Sequence, residues 1–97
     1  MEQEAVRWKL IFSGRVQFVG FRYTAYRLAR DLRLTGWVDN LPDGRVAMEV
    51  QGPVSDVRRL IVKLKAQPQI RITGMEHQAL PLLSGERKFR VLGYDRF

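Results

Sequence analysis

The sequence predicts an α+β domain of βαββαβ order, with two helices on one face of an antiparallel-rich sheet and a short extra C-terminal strand. Three observations predict it. Apolar residues alternate with a period of two in several short runs. Two longer runs carry apolar residues at helical spacing instead. Turn chemistry separates the runs, and the changes of period follow the order strand, helix, strand, strand, helix, strand.

The first strand runs from Val6 to Ser13, with Val6, Trp8, Leu10 and Phe12 on one face. A loop bounded by Gly14 and Gly20 follows. From Phe21 the period changes: Phe21, Ala25, Leu28, Ala29 and Leu32 form one stripe of an amphipathic helix, and Arg22, Tyr26, Arg30 and Arg33 fall largely off it. A second strand starts at Gly36-Trp37-Val38-Asp39-Asn40 after Thr35. Leu41-Pro42-Asp43-Gly44 has the residues of a tight turn, and Arg45 to Gln51 alternates again, which makes a hairpin.

Gly52-Pro53 opens the second helix, with Pro53 expected at the first helical position and Asp56 in the first turn. Val57, Leu60, Ile61 and Leu64 supply its core stripe. Ile70, Ile72 and Gly74 are out of phase with Met75, His77 and Ala79, so a bulge is expected near Thr73-Gly74. Phe89 and Val91 mark the short last strand. This order is the split-βαβ, ferredoxin-like two-layer sandwich.

Size and composition narrow the function. Residues 1–97, at 11.3 kDa, suffice for a single domain. Cysteine is absent, which excludes a disulfide framework, a thiolate zinc site and a cysteine nucleophile. Histidine occurs once, at His77, so a multi-histidine metal site is excluded, and His77 is expected to be a strand residue. No apolar run is long enough to span a bilayer, and Met1-Glu2-Gln3-Glu4 is unlike a secretory signal, so the expected address is the cytoplasm. The net charge is +7, and thirteen arginines face four lysines. Such a surface suits an anionic partner, and arginine's planar fork matches phosphate oxygens. Charge alone does not choose between a phosphate enzyme and an RNA binder.

The stretch Gly14-Arg15-Val16-Gln17-Phe18-Val19-Gly20-Phe21-Arg22 leads from a strand into a helix N-terminus. Free backbone N–H groups and the positive end of a helix dipole meet there, which is an anion site. Arg22 opposes that dipole at a cost of about 0.3–1 kcal/mol, which a bound anion would offset. The spacing is not that of a Walker A loop, and there is no Gly-x-Gly-x-x-Gly fingerprint.

This stretch, followed after one helix by Thr35-Gly36-Trp37-Val38-Asp39-Asn40-Leu41-Pro42-Asp43-Gly44, strongly resembles the acylphosphatase family. The resemblance covers nearly the whole chain, is closest from Gly14 to Gly52, and is looser from Gln67 to Gly85. It implies hydrolysis of the carboxyl–phosphate bond of an acyl phosphate, with no cofactor and no metal, and with the substrate and inorganic phosphate as small-molecule partners; the expected state of the chain is a monomer. The resemblance maps the catalytic arginine onto Arg22 and the catalytic asparagine onto Asn40. The phosphate-binding backbone maps onto Arg15, Val16, Gln17, Phe18, Val19, Gly20 and Phe21. Arg22 and the loop amides would neutralise the phosphoryl oxygens, and Asn40 would hold the attacking water.

Phe18 stands where the family usually has glycine. If the position needs positive φ, Phe adds about 1–2 kcal/mol of strain. The expectation is a site whose side chains are present but whose activity is weakened or altered in substrate preference. The alternative is an outward ring that the loop tolerates. Two rival functions follow: a catalytically poor anion-binding domain, and an RNA-binding module of the same element order. Against the RNA module, the third strand, Arg45-Val46-Ala47-Met48-Glu49-Val50, carries no stacking aromatic, so nucleic acid is not the expected partner.

Overall fold

In a computed structural model, which describes residues 4–93, the elements follow the predicted order. They are β1 (Ala5–Arg15), α1 (Phe21–Asp31), β2 (Thr35–Asn40), β3 (Val46–Pro53), α2 (Val54–Lys65), β4 (Arg71–Leu80) and β5 (Phe89–Val91). The strands form one sheet in the order β4-β1-β3-β2-β5. Every neighbouring pair is antiparallel except β2 with β5, which is parallel. Of the aromatics Trp8, Phe12, Trp37, Phe89 and Tyr94, all of which the sequence assigns to the core or a sheet edge, Tyr94 lies outside the described residues.

The period-two residues face the helices as predicted. Leu10 and Phe12 of β1, Val38 of β2, and Val46, Met48 and Val50 of β3 are fully buried. They meet Ala25 and Ala29 of α1 and Val57, Leu60 and Leu64 of α2 in one core cluster. Phe12 and Phe21 join the layers, with ring centroids 5.1 Å apart. Leu28 and Leu32 of the predicted α1 stripe are only partly buried against this core.

Local differences from the sequence reading have simple causes. Gly14 and Arg15 belong to β1, paired with Ile72 and Arg71, because the strand resumes pairing after a register shift at Ser13/Gly14. Opposite that shift, Thr73 is the extra residue of β4, which is the bulge that reconciles its two phases. Pro53 is the N-cap of α2, one position before the first helical residue, with extended ψ of 135°. Gly52 still pairs with Val6, and the amide of Val54 donates to the carbonyl of Glu4, so the strand continues up to the helix.

The segment 81–88 connects opposite edges of the sheet, since β4 and β5 are its outermost strands. It crosses the face away from the helices as a strap. Gln51 of β3 exchanges two hydrogen bonds with the backbone of Leu83, at 2.8 and 2.9 Å. Arg7 of β1 pairs with Glu86 at 2.8 Å and with Glu49 at 3.0 Å. Arg7 is only 4% exposed. Burial pushes the Glu86 carboxyl up, but hydrogen bonds from Arg7 and Thr35, with the charges of Arg7 and Arg90, hold it below its ordinary value. The strap thereby delivers β5 to its place beside β2.

Candidate active site

The loop from β1 to α1 is fixed by what its side chains do away from any ligand. Val16 is buried and anchors the loop in the core. Gln17 reaches across to the β2–β3 turn, where its Nε2 donates to the carbonyls of Leu41 at 2.7 Å and Arg45 at 2.9 Å. Phe18 has φ of 62° and its side chain stands in solvent, at 91% exposure. The position does adopt the left-handed conformation, and the ring points outward. The loop accommodates Phe there without folding it inward.

Gly20 caps α1 in the left-handed conformation, φ 78°, where a residue without Cβ is least strained. No side chain caps this end, and the first turn holds no acid. The first amides of a helix have no intrahelical acceptor. Here no side chain takes that place, and Gly20, Phe21 and Arg22 line a cavity at this end of the helix.

Arg22 is 8% exposed, not extended into water as its position off the helix stripe suggested. Its Nη1 donates to the carbonyl of Leu92, just past β5, at 2.7 Å. The backbone beyond β5 therefore helps to aim the guanidinium. The amide of Leu92 is in turn bonded to the carbonyl of Val38, at 2.9 Å, which ties that segment to β2. Asn40 is the last residue of β2, opposite Val46, immediately before the turn that Gln17 holds.

These elements enclose one small cavity of about 150 Å³. It is lined by Val16, Phe18, Gly20, Phe21, Arg22 and Asn40. Residues separated by a helix and a strand in sequence thus meet around a space of small-anion size. Arg15, Gln17 and Val19 do not line it. Arg15 is exposed at the end of β1 beside Arg71, Gln17 faces the turn, and Val19 packs partly against the core. His77 lies on β4 at the far edge, with its ring edge-on to Trp8 at 4.4 Å. Arg45 is occupied by Asp43 and Glu76.

In the sequence Gln17 counts only as loop backbone, and nothing in it marks Leu92. Gln17 sits next to the buried Val16 in a loop, a weak signal for a tie to another element. A backbone carbonyl, present at every residue, leaves no signal at all.

A cationic cavity at an uncapped helix end, on a ferredoxin-like two-layer sandwich, defines an anion-handling α+β protein. The Acylphosphatase family model matches residues 8–91. The chain is 39% identical to an acylphosphatase of Clostridium beijerinckii over 89% of this chain and 97% of that protein. It is 45% identical to one of Anaeromyxobacter dehalogenans over 75% of this chain and 80% of that protein. Its structure is similar to the crystal structure of acylphosphatase from Bacillus subtilis, with a TM-score of 0.84, 31% identity, and 91% and 99% of the two chains covered. The chain belongs to the acylphosphatase family.

Proposed function

We propose that this protein hydrolyses acyl phosphates to a carboxylate and inorganic phosphate, with Arg22 and Asn40 as its catalytic residues. The observation that carries the residue assignment is their convergence, with the N-terminus of α1, on one 150 Å³ cavity. Arg22 and the amides at the start of α1 bind the phosphoryl oxygens and stabilise their charge in the transition state. Asn40, with two donors and an acceptor, orients a water in line with the phosphorus–oxygen bond that breaks. The water oxygen bonds to phosphorus, the carboxylate leaves with the electron pair of the broken bond, and a proton of the water passes to a phosphoryl oxygen. The leaving carboxylate is a weak base, so the chemistry works in a cavity whose lining, among the described residues, holds no carboxylate or imidazole.

The strap covers part of the sheet face away from the helices with the chain's own residues, which supports a monomer. A cytoplasmic address is supported by a sequence without cysteine.

The test is benzoyl phosphate hydrolysis by the parent, Arg22→Ala and Asn40→Ala. Arg22→Ala is expected to lose on the order of 10³-fold in kcat, the scale of a transition-state arginine. Hydrolysis by a folded Arg22→Ala at the parent's rate would refute the assignment. A folded parent without turnover that still binds inorganic phosphate would favour the anion-binding domain.

A further inference from the structure

At the other end of α1 lies a second, larger groove of about 410 Å³. It is separated from the catalytic cavity by the length of an eleven-residue helix, roughly 16 Å. Its volume falls in the range of organic-ligand sites, about 300–1,000 Å³. Four cations line it, Arg30 and Arg33 from the end of α1 and Arg87 and Lys88 from the end of the strap, and among the described residues no carboxylate does. Its apolar wall includes Tyr26 and Phe89.

Exposed cations without a carboxylate occur elsewhere too, at Arg15, Arg58 and Arg71; what sets this groove apart is that four cations converge on one cavity. Arg7, Arg45 and Arg59 each hold a carboxylate at 3.0 Å or closer. Among the described residues, Arg33, Arg87 and Lys88 hold none, and Arg30 has only its exposed neighbour Asp31 at 3.4 Å. Cations at the C-terminus of a helix interact favourably with its dipole, which accounts for Arg30 and Arg33. It does not account for Arg87 and Lys88, which the strap brings to the same groove from a distant part of the sequence.

Arg33 adds a second, independent sign. The amides of Arg33 and Leu34 donate back to the carbonyls of Arg30 and Ala29, at 3.0 and 2.9 Å, the helix ending in which glycine is favoured at the left-handed position. Arg33 occupies that position with φ of 58°. A glycine would relax the backbone, but it would remove a guanidinium from the groove.

We infer that this groove is a second binding site, independent of hydrolysis, for an organic polyphosphate: a ring carrying a chain of two or three phosphates, such as a nucleoside di- or triphosphate. Each phosphate group brings about one to two negative charges, so four cations match such a chain. The arginines bind it through paired N–H groups. Tyr26, with Arg30 over its ring at 5.7 Å, and the exposed edge of the largely buried Phe89 give the ligand's ring an apolar and cationic wall, and the groove exceeds what inorganic phosphate would fill.

The experiment is calorimetric titration of the full chain with ATP in the presence of EDTA, at low salt and at 0.3 M salt. Saturable binding that weakens with salt is expected. Arg33→Gly and Arg87→Ala should each weaken it about tenfold, the scale of one charge-assisted contact. Arg33→Gly serves as its own folding control, because its melting temperature should equal or exceed the parent's. Tripolyphosphate should bind more weakly than ATP, and saturating inorganic phosphate should leave ATP binding in place. ATP affinity unchanged in both variants, loss of ATP binding on addition of phosphate, or no binding at millimolar ATP would overturn the second site. Equal affinity for tripolyphosphate would overturn its ring-bearing ligand class. Binding is read without turnover, so its failure is distinct from failure of the hydrolytic reading.

Discussion

The side-chain amide of Gln17 donates to the carbonyl of Leu41 at 2.7 Å, so the loop before α1 and the turn after β2 are held as one unit. The same nitrogen also reaches the carbonyl of Arg45 at 2.9 Å. Asn40 precedes Leu41, and the loop lines the cavity that Asn40 shares with Arg22. One amide thus sets the distance between two halves of the site. Gln17→Ala should cost about 1–1.5 kcal/mol, because each carbonyl keeps a turn hydrogen bond from Gly44 or Leu41. It should lower kcat on benzoyl phosphate about tenfold, through a looser site. Denaturant unfolding and steady-state kinetics measure the two effects separately.

Phe18 combines a left-handed backbone with an outward ring. Phe18→Gly therefore removes strain without opening a cavity. The strain relieved, about 1–2 kcal/mol, is partly offset by glycine's greater freedom in the unfolded chain. A net gain of about 0.5–1 kcal/mol is expected in urea unfolding. Since the loop already follows the left-handed course, kcat/KM should change by less than about threefold in proportion to so small an energy. A large rise in kcat would show that the phenylalanine holds the loop away from its productive geometry.

Glu86 predicts how the fold responds to acid. Its carboxyl is held below the ordinary value, so it stabilises the folded state when ionised, and that contribution is present above its unfolded pKa. The contribution is lost as pH falls through the lower folded pKa. Stability should therefore decline below about pH 4.5, the model-compound value for glutamate. In Glu86→Gln the acid-dependent part of the decline should shrink. Thermal melts from pH 6 to pH 3 on both proteins test this.

Arg7 is the buried centre of the strap's attachment. Arg7→Ala leaves Glu49 and Glu86 without the cation that both contact, at 3.0 and 2.8 Å. Breaking a buried pair from one side costs about 3–5 kcal/mol. The strap also delivers the segment whose Leu92 carbonyl receives Arg22. Arg7→Ala should accordingly lose activity at temperatures where far-ultraviolet circular dichroism still shows a folded sheet.

Gly36 explains a residue of the second motif by packing rather than chemistry. With φ of 141°, a Cβ there would run into the backbone carbonyl of Glu49 on β3. Gly36→Ala should destabilise the fold by about 3 kcal/mol or more, since backbone must move to admit the methyl group. The loss should appear as a lower urea midpoint.

The two layers were already written in the local patterns of the chain. Alternation in β1, β2 and β3 and the stripes of α1 and α2 are local patterns, and each reports the face that must be buried. They also placed the bulge at Thr73, because a bulge breaks phase within one strand. The loop was legible because turn glycines and a helix start constrain their neighbours, whereas Asn40 was marked by the family resemblance and not by its own spacing. The burial of Arg22 was not legible. Its position off the helix stripe pointed outward, and the backbone at Leu92, just past the β5 that the strap brings across the sheet, helps to hold it in. The Gln17 tie, the Arg7–Glu86 pair and the groove of Arg33 and Arg87 were equally hidden. Each joins residues far apart in the chain, and a side chain's spacing records its own element's period but not which distant element closes over it. Tertiary structure decided these contacts because burial and charge pairing depend on distance in space, where the packing of the strap and of β5 sets the partners.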